Sequence, residues 1–152
     1  MNEAIVIRPY QEADFSAIAR IHDRARRQEL AMAGLDAAFV PLSVAAHSEG
    51  LFDYTLRVAE MKGEIVGFTA YTEEELAWLY VDPAHMRRGV GRALVGYVIA
   101  HTARPLCIEV LCGNEPALHL YASMGFVPTH MASGRMPGNE AFAVTVHCLE
   151  MA

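Results

Sequence analysis

The sequence predicts a mixed α/β fold in which strands and helices share one sheet. Three observations predict it. Leu56-Arg57-Val58-Ala59-Glu60 and Ile65-Val66-Gly67-Phe68-Thr69-Ala70 flank the turn Met61-Lys62-Gly63-Glu64, the pattern of a β-hairpin. Glu75 to Met124 reads as strand, helix, strand, helix. Phe126 to Met131 and Ala141 to Leu149 read as a closing strand pair.

The elements follow in order. Ala4 to Arg8 is a short apolar run ending at Pro9, a first strand. Asp14 has the character of a helix N-cap. Behind it Phe15, Ile18, Ile21 and Ala25 repeat at helical spacing, with Arg20, Asp23, Arg24, Arg26 and Arg27 on the outer face. Gly34 to Gly50 predicts a second, shorter helix broken by Pro41. Glu75 to Val81 is a strand that Asp82-Pro83 stops. Gly89 to Thr102 has helical periodicity through Leu94, Val95, Val98 and Ile99. Leu106 to Leu111 is apolar apart from Glu109, as a strand buried on both faces would be. Pro116 to Met124 is a short helix with proline in its first turn, ended by Gly125. No repeat or linker divides the 152 residues, so one domain over 1–152 is expected.

Twelve basic and eighteen acidic residues give a formal charge of −6. That argues against a general nucleic-acid binder, which needs a basic face, and mildly favours a cationic partner such as an amine. No apolar run is long enough to span a bilayer, so no membrane partner is expected. Met1-Asn2-Glu3-Ala4 lacks a basic segment followed by an apolar one, so a cytoplasmic protein is the default. The three cysteines, Cys107, Cys112 and Cys148, form no Cys-x-x-Cys pair, and the seven histidines lack metal-site spacing. No metal is expected. Cys107 and Cys112 flank the strand at 106–111 and read as packing residues, because no base adjoins them to make a nucleophile.

The segment Leu79 to Leu94 carries the chemistry. A strand ends, a short loop follows, and Gly89 and Gly91 open a helix. The first amides of a helix have no internal partner and carry partial positive charge. Glycines let a bulky anion approach them, and Arg87, Arg88 and Arg92 add full charges. This arrangement suits a phosphate or pyrophosphate. The plain alternative is a glycine-softened helix start with solvated arginines. No Gly-Lys-Ser/Thr follows, which excludes a nucleotide P-loop, and the third glycine of a dinucleotide fingerprint is missing.

Here the sequence resembles the GNAT superfamily of acyl-CoA-dependent N-acyltransferases. That family's loop motif, Gln/Arg-x-x-Gly-x-Gly/Ala, falls on Met86-Arg87-Arg88-Gly89-Val90-Gly91, followed by Arg92-Ala93-Leu94. The departure is Met86, whose side chain cannot donate a hydrogen bond. A second stretch, Asn114 to Phe126, resembles the family's Asn-x-x-Ala-x-x-x-Tyr-x-x-x-Gly-Phe. The resemblance covers roughly residues 4 to 150 and is sharp from 76 to 127. It implies a central, mostly antiparallel sheet of six or seven strands with a parallel splayed pair in the middle and about four flanking helices.

The resemblance also implies roles. Acetyl-CoA is the donor, and the acceptor is a primary amine of a small molecule or a peptide. The backbone of Leu79, Tyr80 and Val81 pairs with the pantetheine arm, and an amide there polarises the thioester. Met86, Arg87, Arg88, Gly89, Val90, Gly91 and Arg92 hold the pyrophosphate. Asn114 and Ala117 contact the cofactor, although capping alone also explains an Asn at 114. Tyr121 protonates the departing thiolate, a role suited to a phenol whose pKa is ordinarily about 10. The alternative is a core aromatic whose hydroxyl reaches the surface. Glu75 is the candidate base, eleven positions before the loop motif as in some family members. Glu73 and Glu74 beside it also suit a solvated acidic turn, and ordered water can replace a fixed base. His22, His85 and His119 titrate near neutrality when unperturbed, and each also suits a surface position.

Two further readings stay open. One is a non-catalytic acyl-CoA-binding module with a sensing role. The other is a longer acyl donor, set by the cleft near Tyr80 and Val110. The acceptor site is expected from Asp14 to Tyr54 and Met131 to Glu140, where Met131 to Asn139 is either a lid or a plain hairpin turn. Exposed ends of the sheet can support a homodimer.

Overall fold

The computed structural model describes residues 4–152. Met1, Asn2 and Glu3, where the N-terminal stretch without a signal pattern begins, lie outside the described residues. Seven strands form one sheet: β1 (Ile5–Pro9), β2 (Thr55–Met61), β3 (Glu64–Tyr71), β4 (Glu75–Val81), β5 (Leu106–Leu111), β6 (Val127–Met136) and β7 (Asn139–Met151). Their order is β1-β2-β3-β4-β5-β7-β6. Every neighbouring pair is antiparallel except β4 and β5, which run parallel. Among the described residues four α-helices flank the sheet: α1 (Phe15–Met32), α2 (Leu42–Ser48), α3 (Val90–Ala100) and α4 (Glu115–Ser123). The mixed sheet with its central parallel pair and four helices is the architecture expected from the sequence.

Helix placement follows from which side chains are buried. Ile18 and Ile21 of α1 and Leu42 of α2 pack with Val58, Phe68 and Trp78 on one face of the sheet. Leu94 of α3 packs with Ala59 and Val66 on the other, and Val95 and Val98 with Tyr71, Leu76 and Tyr121. Fully burying one such side chain stabilises by roughly 1.5–3 kcal/mol. Two rows of them hold the helices to opposite faces.

The site depends on how β4 meets β5. Only Glu75 with Cys107 and Leu76 with Ile108 pair across that seam. On its other edge β4 pairs with β3 through Trp78, Leu79, Tyr80 and Val81, with a bulge at the step from Leu76 to Trp78. A bulge turns the strand and re-aims its side chains. Beyond Leu76 the two parallel strands therefore part.

Several expectations are corrected. Asp14 does not cap α1: it lies in helical conformation (φ −82°, ψ −10°) and has no side-chain capping bond. Its carboxylate instead accepts from the guanidinium of Arg8 at 2.8 and 2.9 Å and from the Gln11 amide at 2.8 Å. That guanidinium holds the Asp14 carboxyl below its ordinary range. Pro41 does not break the second helix but stands immediately before it, with extended backbone that suits a helix start. The strand at 106–111 is not buried on both faces, because Cys107 and Glu109 are exposed. Cys112 is exposed as well, so neither cysteine is a packing residue. The stretch Met131 to Asn139 belongs to the long β6–β7 hairpin, turning at Pro137-Gly138.

Gly113 joins β5 to α4 at φ +105°, and a Cβ there would stand 2.7 Å from the Met32 carbonyl oxygen at the end of α1. Gly113→Ala adds steric overlap to an unfavourable backbone angle. It is expected to cost about 3 kcal/mol of stability, read by urea unfolding. Gly134→Ala, which meets nothing within 4 Å, should stay near the parent.

Candidate active site

At the end of β4 the chain turns over Asp82, which is buried. Its Oδ1 accepts from the Ala84 amide at 3.0 Å and from Arg24 Nη1 at 3.1 Å, tying this turn to α1. His85 Nδ1 lies 3.4 Å from the other carboxylate oxygen. After the short turn Pro83–His85 the backbone enters the left-handed region at Arg87 (φ 63°) and again at Gly89 (φ 82°). Gly89 is the N-cap of α3, and Val90 behind it is buried and anchors the helix. Met86, Arg87, Arg88 and Gly89 are exposed, so the helix start opens to solvent with cationic side chains around it. Arg92 donates to Ser123 Oγ at 2.8 Å and links α3 to α4. The open amides and the left-handed residues make a cradle for an anion.

A cavity of about 410 Å³ occupies the gap between β4 and β5. Of the residues singled out in the sequence, His22, Glu75, Leu79, Tyr80, Val110, Asn114, Ala117 and Tyr121 line it. Val81, Met86, Arg87, Arg88, Gly89, Val90, Gly91 and Arg92 do not; Val81 ends β4, and the others form the neighbouring turn and helix start. Asn114 Oδ1 accepts from the Ala117 amide at 3.3 Å and so caps α4. Its Nδ2 faces α1, so one side chain both caps α4 and ties it to α1. Tyr121 is 5% exposed and meets Phe126 edge-on, with ring centroids 5.7 Å apart. Burial, and then the charge of Glu29, push its phenol well above the ordinary range. Tyr121 therefore stays protonated throughout neutral pH. Glu75 is exposed, and Tyr54 faces its carboxylate.

The other side of the cavity comes from the two stretches expected to form the acceptor site, 14–54 and 131–140, within which the sequence assigned no role to Glu29 or Glu49. Arg26 Nη1 donates to Glu29 Oε1 at 2.6 Å. The Tyr80 hydroxyl donates to the same oxygen at 3.1 Å, and Asn114 Nδ2 donates to Glu29 Oε2 at 3.2 Å. Arg26 thus faces the cavity rather than the outer surface of α1. Asp23 and Arg24 are also engaged inward, by the Leu42 amide at 2.9 Å and by Asp82. His22 is buried, with its ring centroid 4.9 Å from that of Tyr80, and burial pushes its pKa down. Glu49, at the end of α2, lines the cavity, and burial pushes its carboxyl up. The β6–β7 turn closes the far end through Met136 and Pro137, and Asn139 Nδ2 donates to the Ala38 carbonyl at 3.0 Å. His119 does not line this cavity, and His85 lies in the turn after β4.

The family model of the acetyltransferase (GNAT) domain matches residues 52–128, just over half of the 152-residue chain. The chain belongs to the GNAT acetyltransferase family. The match runs from before β2 to the start of β6, and so holds the hairpin, the splayed pair, the anion cradle and α4. The GNAT segment leaves out α1, which supplies Arg26 and Glu29, and α2, which Glu49 follows. Peptidyl-lysine N-acetyltransferase YiaC of Escherichia coli K12 is 39% identical over 70 residues, 45% of this chain and 47% of that protein. The chain spans less than half the length of the curated relatives it matches. The GCN5-related N-acetyltransferase of Rhodopseudomonas palustris has the same fold, with a TM-score of 0.75 at 22% identity over 100% of this chain and 98% of that one. So does the Salmonella typhimurium protein yncA, solved with its cofactor acetyl-CoA, with a TM-score of 0.68 at 21% identity over 97% and 93% of the two chains.

Among the described residues no group of His, Cys, Asp and Glu could hold a metal ion. No helix among them is long and apolar enough to cross a membrane.

Proposed function

We propose that residues 1–152 act as one N-acetyltransferase domain, moving an acetyl group from acetyl-CoA to a primary amine of a small molecule or a peptide. The observation that carries this reading is the cavity at the β4–β5 seam, where an open strand edge, Asn114 and a buried Tyr121 converge beside a cationic helix start. Membership of the GNAT family supports the choice of donor, as does the fold shared with a protein solved with acetyl-CoA.

In the proposed ternary complex the pyrophosphate rests on the amides opening α3, with Arg87, Arg88 and Arg92 around it. The pantetheine lies along Leu79, Tyr80 and Val81, whose free edge offers amides and carbonyls to it. The amine enters from the side of α1, α2 and the β6–β7 turn. Its nitrogen lone pair attacks the thioester carbon, and a β4 amide stabilises the oxyanion. Collapse breaks the carbon–sulfur bond, and Tyr121 gives its proton to the leaving sulfur. Before attack the ammonium gives one proton to Glu75, directly or through water, which frees that lone pair; the extra proton the nitrogen carries after attack returns to the Tyr121 oxygen. Glu29, Glu49, Glu75 and Glu109 outnumber Arg26 and a neutral His22 on the cavity wall, which favours a cationic acceptor.

The test is incubation with acetyl-CoA and an amine panel that includes lysine peptides, since a matched relative is a peptidyl-lysine N-acetyltransferase. Thiol release with a mass gain of one acetyl group on an amine is expected. Tight binding of acetyl-CoA without thiol release on any amine would support the sensing module instead. Glu75→Gln is expected to abolish the acidic limb of the kcat/KM profile, because the substituted amide has no proton-accepting form to titrate. A profile superimposable on the parent's would assign that proton to water.

A further inference from the structure

We propose that Glu29 is a positioning residue for this transfer: from α1 its carboxylate orients the Tyr80 phenol and the Asn114 amide, and through Asn114 it orients the helix that carries Tyr121. This rests on the function proposed above. Glu29 lies outside the segment matched by the family model, and neither of the sequence motifs contains it.

The geometry is specific. One carboxylate oxygen accepts from Arg26 at 2.6 Å and from the Tyr80 hydroxyl at 3.1 Å. The other accepts from Asn114 Nδ2 at 3.2 Å. Three elements, α1, β4 and the start of α4, therefore meet on a single side chain. Asn114 is held at both ends, because its Oδ1 accepts from the Ala117 amide. Reversing that amide would set oxygen against the Glu29 carboxylate and NH₂ against the Ala117 N–H. Both bonds would be lost together. Glu29 thus fixes which way Asn114 sits, and with it the cap of α4. Tyr121 follows seven residues later, two helical turns on and on the same face.

The charge of Glu29 also reaches Tyr121, where it opposes ionisation of the phenol. The charged and titratable groups facing it are Arg26 and His22 on α1, Tyr80 on β4 and Tyr121 on α4, with Glu49 after α2 facing Arg26. Arg26 stands between the two carboxylates, and the Glu29 oxygens are already engaged by three donors.

The experiment compares the parent, Glu29→Gln, Asn114→Asp and the double variant carrying both changes. Gln at 29 still accepts from Arg26 and Tyr80 but turns its NH₂ toward Asn114. The single changes are expected to lower kcat about tenfold with the acetyl-CoA KM within about threefold, since orientation is lost but the anion cradle is not. The double variant re-forms the 29–114 bond with donor and acceptor exchanged, and kcat is expected to return to within about threefold of the parent. A kcat unchanged in Glu29→Gln would overturn the inference. So would a double variant no better than the singles. Loss of the acidic limb in Glu29→Gln would also overturn it, by making the carboxylate the proton acceptor itself. If Glu29→Gln does not fold, Asn114→Asp and its rescue in the double variant decide the matter. A parent protein that releases no thiol would instead defeat the proposed function.

Discussion

Replacing Tyr121 with phenylalanine is expected to lower kcat about a hundredfold while leaving acetyl-CoA affinity within about threefold. The ring would stay in place, because its packing against Phe126 and the surrounding core does not involve the hydroxyl. What disappears is a proton held at the seam between β4 and β5. Burial and the charge of Glu29 keep that proton on the phenol well above neutral pH. A raised pKa would seem to weaken an acid. The same burial, however, would raise the proton affinity of a thiolate formed beside it, so donor and acceptor would move together. The sign is clear for the pH dependence. A phenol whose pKa is raised loses its proton only far into the alkaline range, so a fall in rate near pH 8 would not belong to Tyr121. Steady-state kinetics and calorimetric titration with acetyl-CoA measure the two halves of this prediction. An unchanged kcat would remove the acid role from Tyr121 and leave it a core residue.

Gly89→Glu is expected to weaken acetyl-CoA binding by about a hundredfold or more, read by calorimetry with CoA. Two effects combine. The new carboxylate stands at the mouth of the anion cradle, where repulsion from a pyrophosphate about 4 Å away is worth roughly 4 kcal/mol near a protein surface. The backbone there is left-handed, φ 82°, which costs a side chain about 1–2 kcal/mol. Gly89→Ala separates these effects. A Cβ at this position meets nothing within 4 Å, so alanine carries the backbone cost alone. Its expected result is a modest loss of stability with near-parental CoA affinity. Parental affinity in Gly89→Glu would reject the helix start as the pyrophosphate site.

The contrast between these two positions and Glu29 shows what a sequence can display. Gly89 and Tyr121 sit in contiguous motifs, each inside one strand–turn–helix or helix–turn unit. Their spacing is set by local geometry, and local geometry is written in consecutive residues. The alternating and 3.6-residue patterns of β2 to α4 are local in the same sense, and they marked nearly every element. Arg26 and Glu29 are different. An Arg and a Glu three apart on a helix usually form a solvated pair, and nothing nearby marks this one as half-buried. Its burial depends on α2, on β4 and on the β6–β7 turn, which lie far along the chain. The same reasoning explains Cys107. In a run of apolar letters cysteine passes for a core residue, yet that face of β5 is open, and Cys107 Sγ points to Glu150 at 3.8 Å. Asp14 failed as a cap because Arg8, on the neighbouring strand, competes for the same carboxylate.

The seam between β4 and β5 carries a thermodynamic consequence. Only two residue pairs stitch the four-strand ribbon β1–β4 to the three-strand ribbon of β5, β7 and β6. A donor lying along Leu79 to Val81 would supply the rungs that the chain itself omits. Its binding free energy would then enter the unfolding equilibrium by mass action, raising the melting temperature as its concentration rises. In that sense the missing rungs would make the proposed cosubstrate a removable strand of the fold, and the protein's rigidity a reading of how much donor surrounds it.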